Sequence, residues 1–179
     1  MALNATIYNL TVELADTDRG VYETLDLRMA RQPSEAAEYM LMRLVAYCLE
    51  YTDGIAFTQG VAAGDEPAVL VRDLTGQVQA WIEVGLPDAE RLHRGSKVAG
   101  RAAVYTHRDV DQLLAQYAGK KIHGAADIPI YALHRRFVEE VAGLIDRRST
   151  ISLAITDREL YVTIGNRTLN SALVEHHIP

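Results

Sequence analysis

Residues 65–85 read DEPAVLVRDLTGQVQAWIEVG, and they contribute most to the fold prediction. Two apolar-rich runs, 68–73 and 77–84, flank the glycine-containing segment 74–76. Apolar runs separated by a short segment with glycine are typical of a β-hairpin. The stretch therefore predicts two antiparallel strands with acidic residues at their open end.

The pairing register of this hairpin predicts where its acidic side chains meet. We expect Arg72 to pair with Gln77. In that register Glu66 falls roughly opposite Glu83, and Asp65 lies one residue further along the same edge. Because directly opposed residues have Cβ atoms only ~5 Å apart, these carboxylates either hold a cation between them or splay into water. Oxygen ligands suit Mg²⁺ and Mn²⁺, so this strand end is a candidate metal site.

Length and composition limit the class of protein. With 179 residues and 49% hydrophobic content, the chain is predicted to be one folded domain spanning 1–179. No apolar run approaches the ~20 residues of a membrane-spanning helix, and the N-terminus lacks the pattern of a signal peptide. Cys48 is the single cysteine, which predicts a buried thiol in a cytoplasmic protein without internal disulfides.

Basic residues close behind Glu83 predict a local basic patch in an acidic chain. The formal net charge of −6 argues against a protein that coats nucleic acid by charge alone. Arg91, Arg94 and Lys97 nevertheless lie on one predicted helix, where they could meet a phosphate of nucleic acid. A solvated helix face is the alternative, and the sequence does not decide between the two. The six histidines form no ligand cluster, and residues 176–177 are interpreted as part of a tail.

Alternation and helical periodicity predict the order of the other elements. Runs at 6–14 and 24–29, and again at 151–155 and 160–164, indicate an antiparallel hairpin near each end of the chain. The predicted helices are 34–51, 87–99, 109–118 and 133–146, and the further predicted strands are 55–58, 102–106 and 128–132. Strands joined by helices imply a partly parallel sheet, so we expect a mixed α/β sandwich.

The first predicted helix carries a further candidate acid. Ser34 is a good N-cap residue, and Glu35 and Glu38 follow in the first turns, where carboxylates favour the helix dipole. On a helical wheel Glu38 lies just off the edge of the apolar arc. Glu38 is therefore the acid of this helix best placed to reach inward.

Several segments resemble the YaeQ family of bacterial proteins. They are residues 1–3, 5–8, 30–35, 42–44, 65–67 and 81–87. The resemblance covers almost the whole chain and implies a fold similar to the PD-(D/E)XK nuclease-like superfamily. The implied fold is a restriction-endonuclease-like mixed sheet flanked by helices, here with extra antiparallel N- and C-terminal hairpins. The resemblance implies no known substrate.

The resemblance also implies a set of site residues. Asp65 matches the first acid of the PD-(D/E)XK motif and Glu83 matches the second. With the backbone carbonyl of Val84, they would hold Mg²⁺ or Mn²⁺. Glu38 matches the acid that many members supply from an early helix, and Glu35 is the second choice for that position.

The lysine position of the motif falls on Gly85, which has no amine. Some members carry this lysine on the following helix, where Lys97 is the only lysine of the predicted helix. In that position Lys97 would orient the attacking water or stabilise charge on the phosphate.

Each of these residues also has an ordinary structural interpretation. Glu83 could be an exposed strand-end acid that pairs with Arg91 or Arg94. Asp65 could be a turn residue, and Lys97 a solvated surface lysine.

Two functions of different classes are compatible with the sequence. The first is a Mg²⁺-dependent phosphodiesterase or nuclease of unknown substrate, in which metal-bound water attacks phosphorus. The alternative is a non-catalytic binding or regulatory module that retains the nuclease-like fold. The convergent acids favour the enzyme, whereas the acidic balance and the missing lysine at Gly85 favour the module.

Overall fold

The computed structural model describes residues 4–59 and 65–179, so the predicted flexible connection at 60–64 lies outside the described residues. The chain forms two compact units. Unit 1 comprises the chain up to Leu41 together with Leu133–Leu173, and unit 2 comprises Met42–Ala132 with Val174–Pro179. Within the described ranges, no helix has the length and apolar character needed to cross a membrane.

The elements follow one another in a mixed α/β order. The strands are β1 (Thr6–Asp16), β2 (Val21–Arg31), β3 (Ile55–Phe57), β4 (Val69–Arg72), β5 (Val78–Val84), β6 (Arg101–Thr106), β7 (Pro129–Ala132), β8 (Arg148–Thr156), β9 (Glu159–Ile164), β10 (Arg167–Ala172) and β11 (Val174–His177). The helices are α1 (Ala37–Leu49), α2 (Ala89–Val98), α3 (Val110–Tyr117) and α4 (Arg135–Ala142), with a 3-10 turn at Ala125–Asp127. The predicted mixed α/β class is therefore confirmed.

Unit 1 contains a five-stranded sheet in the order β10-β9-β8-β1-β2. Leu10, Val12 and Leu14 of β1 are buried on one face, as their alternation predicts. The two terminal hairpins form as predicted, and they meet in this one sheet because β1 pairs in parallel with β8. Strand β10 was not predicted from the sequence.

Unit 2 contains a six-stranded sheet in the order β11-β7-β6-β5-β4-β3. Strands β3, β4 and β5 are antiparallel, whereas β5, β6 and β7 are parallel and are joined through α2 and α3. The predicted tail at 176–177 instead belongs to β11, which pairs with β7. Backbone pairing with a free sheet edge gives these polar residues a strand conformation that their sequence does not indicate.

The central hairpin has a different register from the predicted one. Arg72 pairs with Val78, not with Gln77, and a bulge follows before Val69 pairs with Ile82. The cause lies in the turn, because the Asp73 carboxylate accepts hydrogen bonds from the backbone N–H of Thr75 and Gln77 at 2.9 and 3.0 Å. The turn is therefore wider than predicted.

The corrected register also removes the predicted Glu66–Glu83 pair. The ladder between the two strands ends at Val69, so Glu66 lies before the paired residues. The two residues are connected instead through a third side chain, as described below.

The first helix begins later than predicted, at Ala37, so Ser34 is not its N-cap. The residues before it form a separate turn, in which Glu35 N–H donates to the Gln32 carbonyl at 2.9 Å. The Gln32 N–H in turn donates to the Glu35 carboxylate at 3.2 Å. This local bonding competes with the helix for the same residues and keeps the Glu35 side chain buried.

Candidate functional site

The site is built around Glu83, near the carboxyl end of β5. Glu83 pairs with Val104 of the parallel strand β6 and is only 2% exposed. It is thus buried, not the exposed strand-end acid of the ordinary interpretation. A buried carboxylate requires a partner, because losing hydration strongly disfavours the charged form.

Arg91 supplies that partner. Its Nε donates to a carboxylate oxygen of Glu83, and its Nη2 donates to the backbone carbonyl of Glu66. One guanidinium therefore joins the end of β5 to the segment that precedes β4. Of Arg91 and Arg94, the two partners predicted for Glu83, the structure selects Arg91.

The start of α2 positions Arg91. Asp88 is the N-cap, and its carboxylate accepts a hydrogen bond from the backbone N–H of Arg91 at 2.7 Å. Leu92 is fully buried in an apolar cluster with Val104 of β6 and Leu113 of α3. Burial of Leu92 fixes the rotation of α2 about its axis, and this rotation directs Arg91 towards β5.

Trp81 and Gly95 hold α2 close to β5. A Cβ at Gly95 would overlap the indole ring of Trp81, so only glycine permits this approach. The indole Nε1 is buried and forms no hydrogen bond of normal geometry with any described residue. Trp81 is therefore a wall of this site.

Two acids, Glu83 and Asp88, and one cation, Arg91, set the electrostatics of the site. Burial raises the pKa of Glu83, while the charge and hydrogen bond of Arg91, and to a smaller extent the Trp81 indole, oppose this rise. Burial also raises the pKa of Tyr117, and the negative charges of Glu83 and Asp88 raise it further. The neutral Tyr117 hydroxyl donates to the Pro87 carbonyl at 2.7 Å.

The structure brings only part of the predicted set together. Asp65 is exposed and directly precedes Glu66, whose carbonyl contacts Arg91. Val84 is buried in β5, and the Gly85 N–H donates to the Tyr105 carbonyl at 2.9 Å. The segment before β4 and the end of β5 therefore converge, but through a guanidinium and not through shared carboxylate ligands.

Lys97 lies on a different face of α2. It follows Arg91 by six residues, which is about 120° around a helix. Its side chain is exposed, and its positive charge lowers the pKa of His93, which lies one turn earlier on the same face of α2. The lysine that was predicted to replace the missing amine at Gly85 is thus directed away from Arg91.

Lys97 instead belongs to a set of basic side chains, which we call the α2 basic cluster: His93, Lys97, Lys121 and His123. The backbone N–H of His123 donates to His93 Nδ1 at 2.9 Å, and this bond holds the loop after α3 against α2. Loss of hydration lowers the pKa of His93, and the positive charges of Lys97, Lys121 and His123 lower it further. This cluster was not predicted from the sequence, although the four-residue spacing of His93 and Lys97 was a usable signal.

Glu38 lies in the first turn of α1, within unit 1, whereas Asp65, Glu83 and Lys97 belong to unit 2. No group of three or more His, Cys, Asp or Glu side chains suited to a metal occurs within residues 4–59 and 65–179. The donor set around Glu83 does not fit a resident divalent cation in this arrangement, because Arg91 already neutralises its carboxylate.

Comparisons with known proteins agree on one family. The family model described as "YaeQ protein" matches residues 1–173. An uncharacterized protein YaeQ of Escherichia coli (strain K12) is 33% identical over 181 residues, covering 100% of this chain and 99% of the relative.

Two crystal structures have the same fold. The YaeQ protein from Pseudomonas syringae is 30% identical, with a TM-score of 0.86 over 96% of this chain and 95% of that one. The YaeQ protein from Xanthomonas axonopodis pv. citri is 26% identical, with a TM-score of 0.88 over 98% and 99% of the two chains. With the family model and the bacterial relative, these likenesses show that the chain belongs to the YaeQ family.

Proposed function

We propose that unit 2 has a restriction-endonuclease-like core of the PD-(D/E)XK superfamily. Two features support this assignment. Its sheet combines an antiparallel hairpin with parallel strands joined through α2 and α3. The acid at the second motif position, Glu83, lies near the carboxyl end of the second hairpin strand, and the segment with Asp65 precedes the first strand.

On this core we propose a non-catalytic module that binds nucleic acid. The ion pair between Arg91 and Glu83 is the observation that carries the proposal. A catalytic site of this superfamily needs its second acid available to a metal and an amine nearby. Here Arg91 neutralises the acid, Gly85 has no side chain, and Lys97 lies on another face of α2.

The α2 basic cluster supports phosphate as the recognised group. Lys97, Lys121 and His123 are exposed, and so is Arg94 on the same helix. The charges that act on His93 are all positive, so an anion beside it would be attracted. Exposed cations contact phosphates without reading base sequence, so we expect affinity with little sequence preference.

Fluorescence anisotropy with labelled single- and double-stranded oligonucleotides tests this proposal. We expect Lys97→Glu with Lys121→Glu to weaken binding at least about tenfold and to reduce the salt dependence by about one unit of slope per lysine. Arg167→Glu is the matched control, since Arg167 is an exposed cation of β10 in unit 1. If neither strand form binds, or if the control loses as much affinity, this surface is not the binding site.

A Mg²⁺-dependent phosphodiesterase is the second candidate. The convergence of the Asp65–Glu66 segment with Glu83 favours it, because these residues match the acidic positions of the motif. It requires Arg91 to release Glu83.

Calorimetric titration with Mg²⁺ and Mn²⁺ separates the two candidates. The module predicts no saturable binding at millimolar metal in the parent protein. Saturable binding that is lost in Asp65→Asn would favour the enzyme. Metal-dependent cleavage of oligonucleotides that disappears in Glu83→Ala, with folding retained, would establish it.

A further inference from the structure

The outward face of the unit 1 sheet carries a row of polar side chains on three neighbouring strands. Asn9 of β1 pairs with Arg28 of β2 on one side and with Arg148 of β8 on the other. All three residues are exposed. Because neighbouring strands lie about 4.8 Å apart, the two arginine Cα atoms are separated by roughly 10 Å, with Asn9 between them.

The next row on the same face completes a groove. Thr11 pairs with Asp26 on β2 and with Thr150 on β8. The groove formed by these two rows has a volume of about 340 Å³. Asp26 lies in this second row, where its carboxylate accepts the Thr11 hydroxyl at 3.1 Å and forms no ion pair with Arg28 or Arg148.

The two arginines of this groove differ from most others in the chain. Arg19 pairs with Asp16 at 2.7 Å and Arg101 with Glu50 at 2.9 Å. Across the described parts of the chain, the side chains of Arg28 and Arg148 take part in no ion pair or hydrogen bond. Two guanidinium groups therefore flank the Asn9 amide with their donors available.

We propose that this groove is a phosphate-binding site in which Arg28, Asn9 and Arg148 contact one phosphate group. Two permanent positive charges are balanced better by a dianion than by a carboxylate, which carries one negative charge. A tetrahedral phosphate also presents acceptor oxygens in several directions, so it can accept from both guanidinium groups and from the amide between them. A carboxylate carries a single negative charge with its acceptors in one plane, so pairing with one guanidinium fork leaves the second arginine without a charge partner.

The proposal goes beyond the nucleic-acid surface of unit 2, because it uses none of the α2 basic cluster. The phosphate could be a free ion or the terminal group of a nucleotide. Both present the same dianion, and the groove is larger than an isolated phosphate ion. A nucleotide would gain from the second row, where Thr11 and Thr150 offer hydroxyl groups.

Two-dimensional NMR titration of the full chain at constant ionic strength tests the site. The probes are inorganic phosphate, a nucleoside 5′-monophosphate and acetate. We expect saturable shifts at the amides of Asn9, Arg28 and Arg148 with either phosphate compound and not with acetate. Tighter binding of the monophosphate would identify a nucleotide, and equal binding would identify the free ion.

The variants are chosen to leave the sheet intact. Arg28→Gln and Arg148→Gln are each expected to weaken phosphate binding about tenfold, since each removes one charged donor from an exposed position. Arg167→Gln, an exposed position of β10, should bind as the parent does. The proposal is overturned if acetate binds as tightly as phosphate, if no saturation occurs, or if both groove variants retain full affinity.

Discussion

The guanidinium of Arg91 contacts the buried carboxylate of Glu83, and the same side chain also binds the carbonyl of Glu66. The positive charge beside these acidic residues is therefore supplied by the protein itself, from Arg91. It comes from α2, the helix that also carries Lys97. This contact explains how Glu83 is tolerated at 2% exposure.

We predict that Arg91→Ala destabilises the protein by about 2–4 kcal/mol. Removing one partner of a buried pair leaves an uncompensated charge, and the partial exposure of Arg91 keeps the loss at the lower end of the usual range. Urea denaturation measures the change. The Arg91→Ala, Glu83→Gln double variant should lose less than the sum of the single variants, and strict additivity would contradict the pairing.

The loss in Arg91→Ala should also depend on pH. Burial raises the folded-state pKa of Glu83 above its usual 4.5, so folding favours the neutral form more than the unfolded chain does. Stability linked to this group is present below the unfolded pKa and is lost as pH rises through the folded pKa. In acid Glu83 is neutral in both proteins, so the variant no longer buries an uncompensated charge. The difference in the free energy of unfolding between parent and variant should therefore narrow at acidic pH, as urea curves across that range would show.

Gly95→Ala should destabilise the protein by about 1–3 kcal/mol, despite the better helix propensity of alanine. The added methyl overlaps the ring of Trp81, and either the ring or α2 must move. Gly100→Ala is the matched control, because its nearest atom to a new Cβ is the Gln79 carbonyl oxygen at an ordinary 3.7 Å. Thermal unfolding compares the two, and equal melting temperatures would disprove the close approach.

Tyr105→Phe should cost about 1 kcal/mol, and Glu50→Ala clearly more. The buried Tyr105 hydroxyl donates to Glu50 at 2.5 Å, and the same carboxylate accepts two hydrogen bonds from Arg101 at 2.9 Å. Removing the hydroxyl loses one bond, whereas removing the carboxylate leaves both donors without their acceptor. Chemical denaturation of the two variants gives the order, and a larger loss in Tyr105→Phe would contradict it.

The central hairpin should open locally at low pH. Hydrogen bonds, chiefly from the Thr75 hydroxyl, lower the pKa of Asp73 below its usual 3.8. The stabilisation is present above the unfolded pKa and is lost as pH falls through the folded pKa. Hydrogen exchange at the Gln77 amide should therefore accelerate in acid more than intrinsic exchange explains. Asp73→Asn should remove this dependence, while Asp53→Asn, at another exposed position, should retain it.

Local patterns in the sequence were sufficient to predict most elements. The alternation of Leu10, Val12 and Leu14 placed β1, and Asp109 marked the start of α3, where its carboxylate accepts two backbone N–H groups. Such signals are contained in a few consecutive residues, because alternation and capping depend on near neighbours. The mixed α/β class follows from them.

Contacts between distant residues decided the rest. The parallel pairing of β1 with β8 and the strand formed by residues 174–177 depend on partners far along the chain. The choice of Arg91 over Lys97 beside Glu83 depends on the rotation of α2, which Leu92 fixes by packing in the core. The sequence by itself determined most of the helices and strands and which acids are available. Only the tertiary structure decided which charges meet, because side-chain direction is set by packing between elements and not by spacing within one.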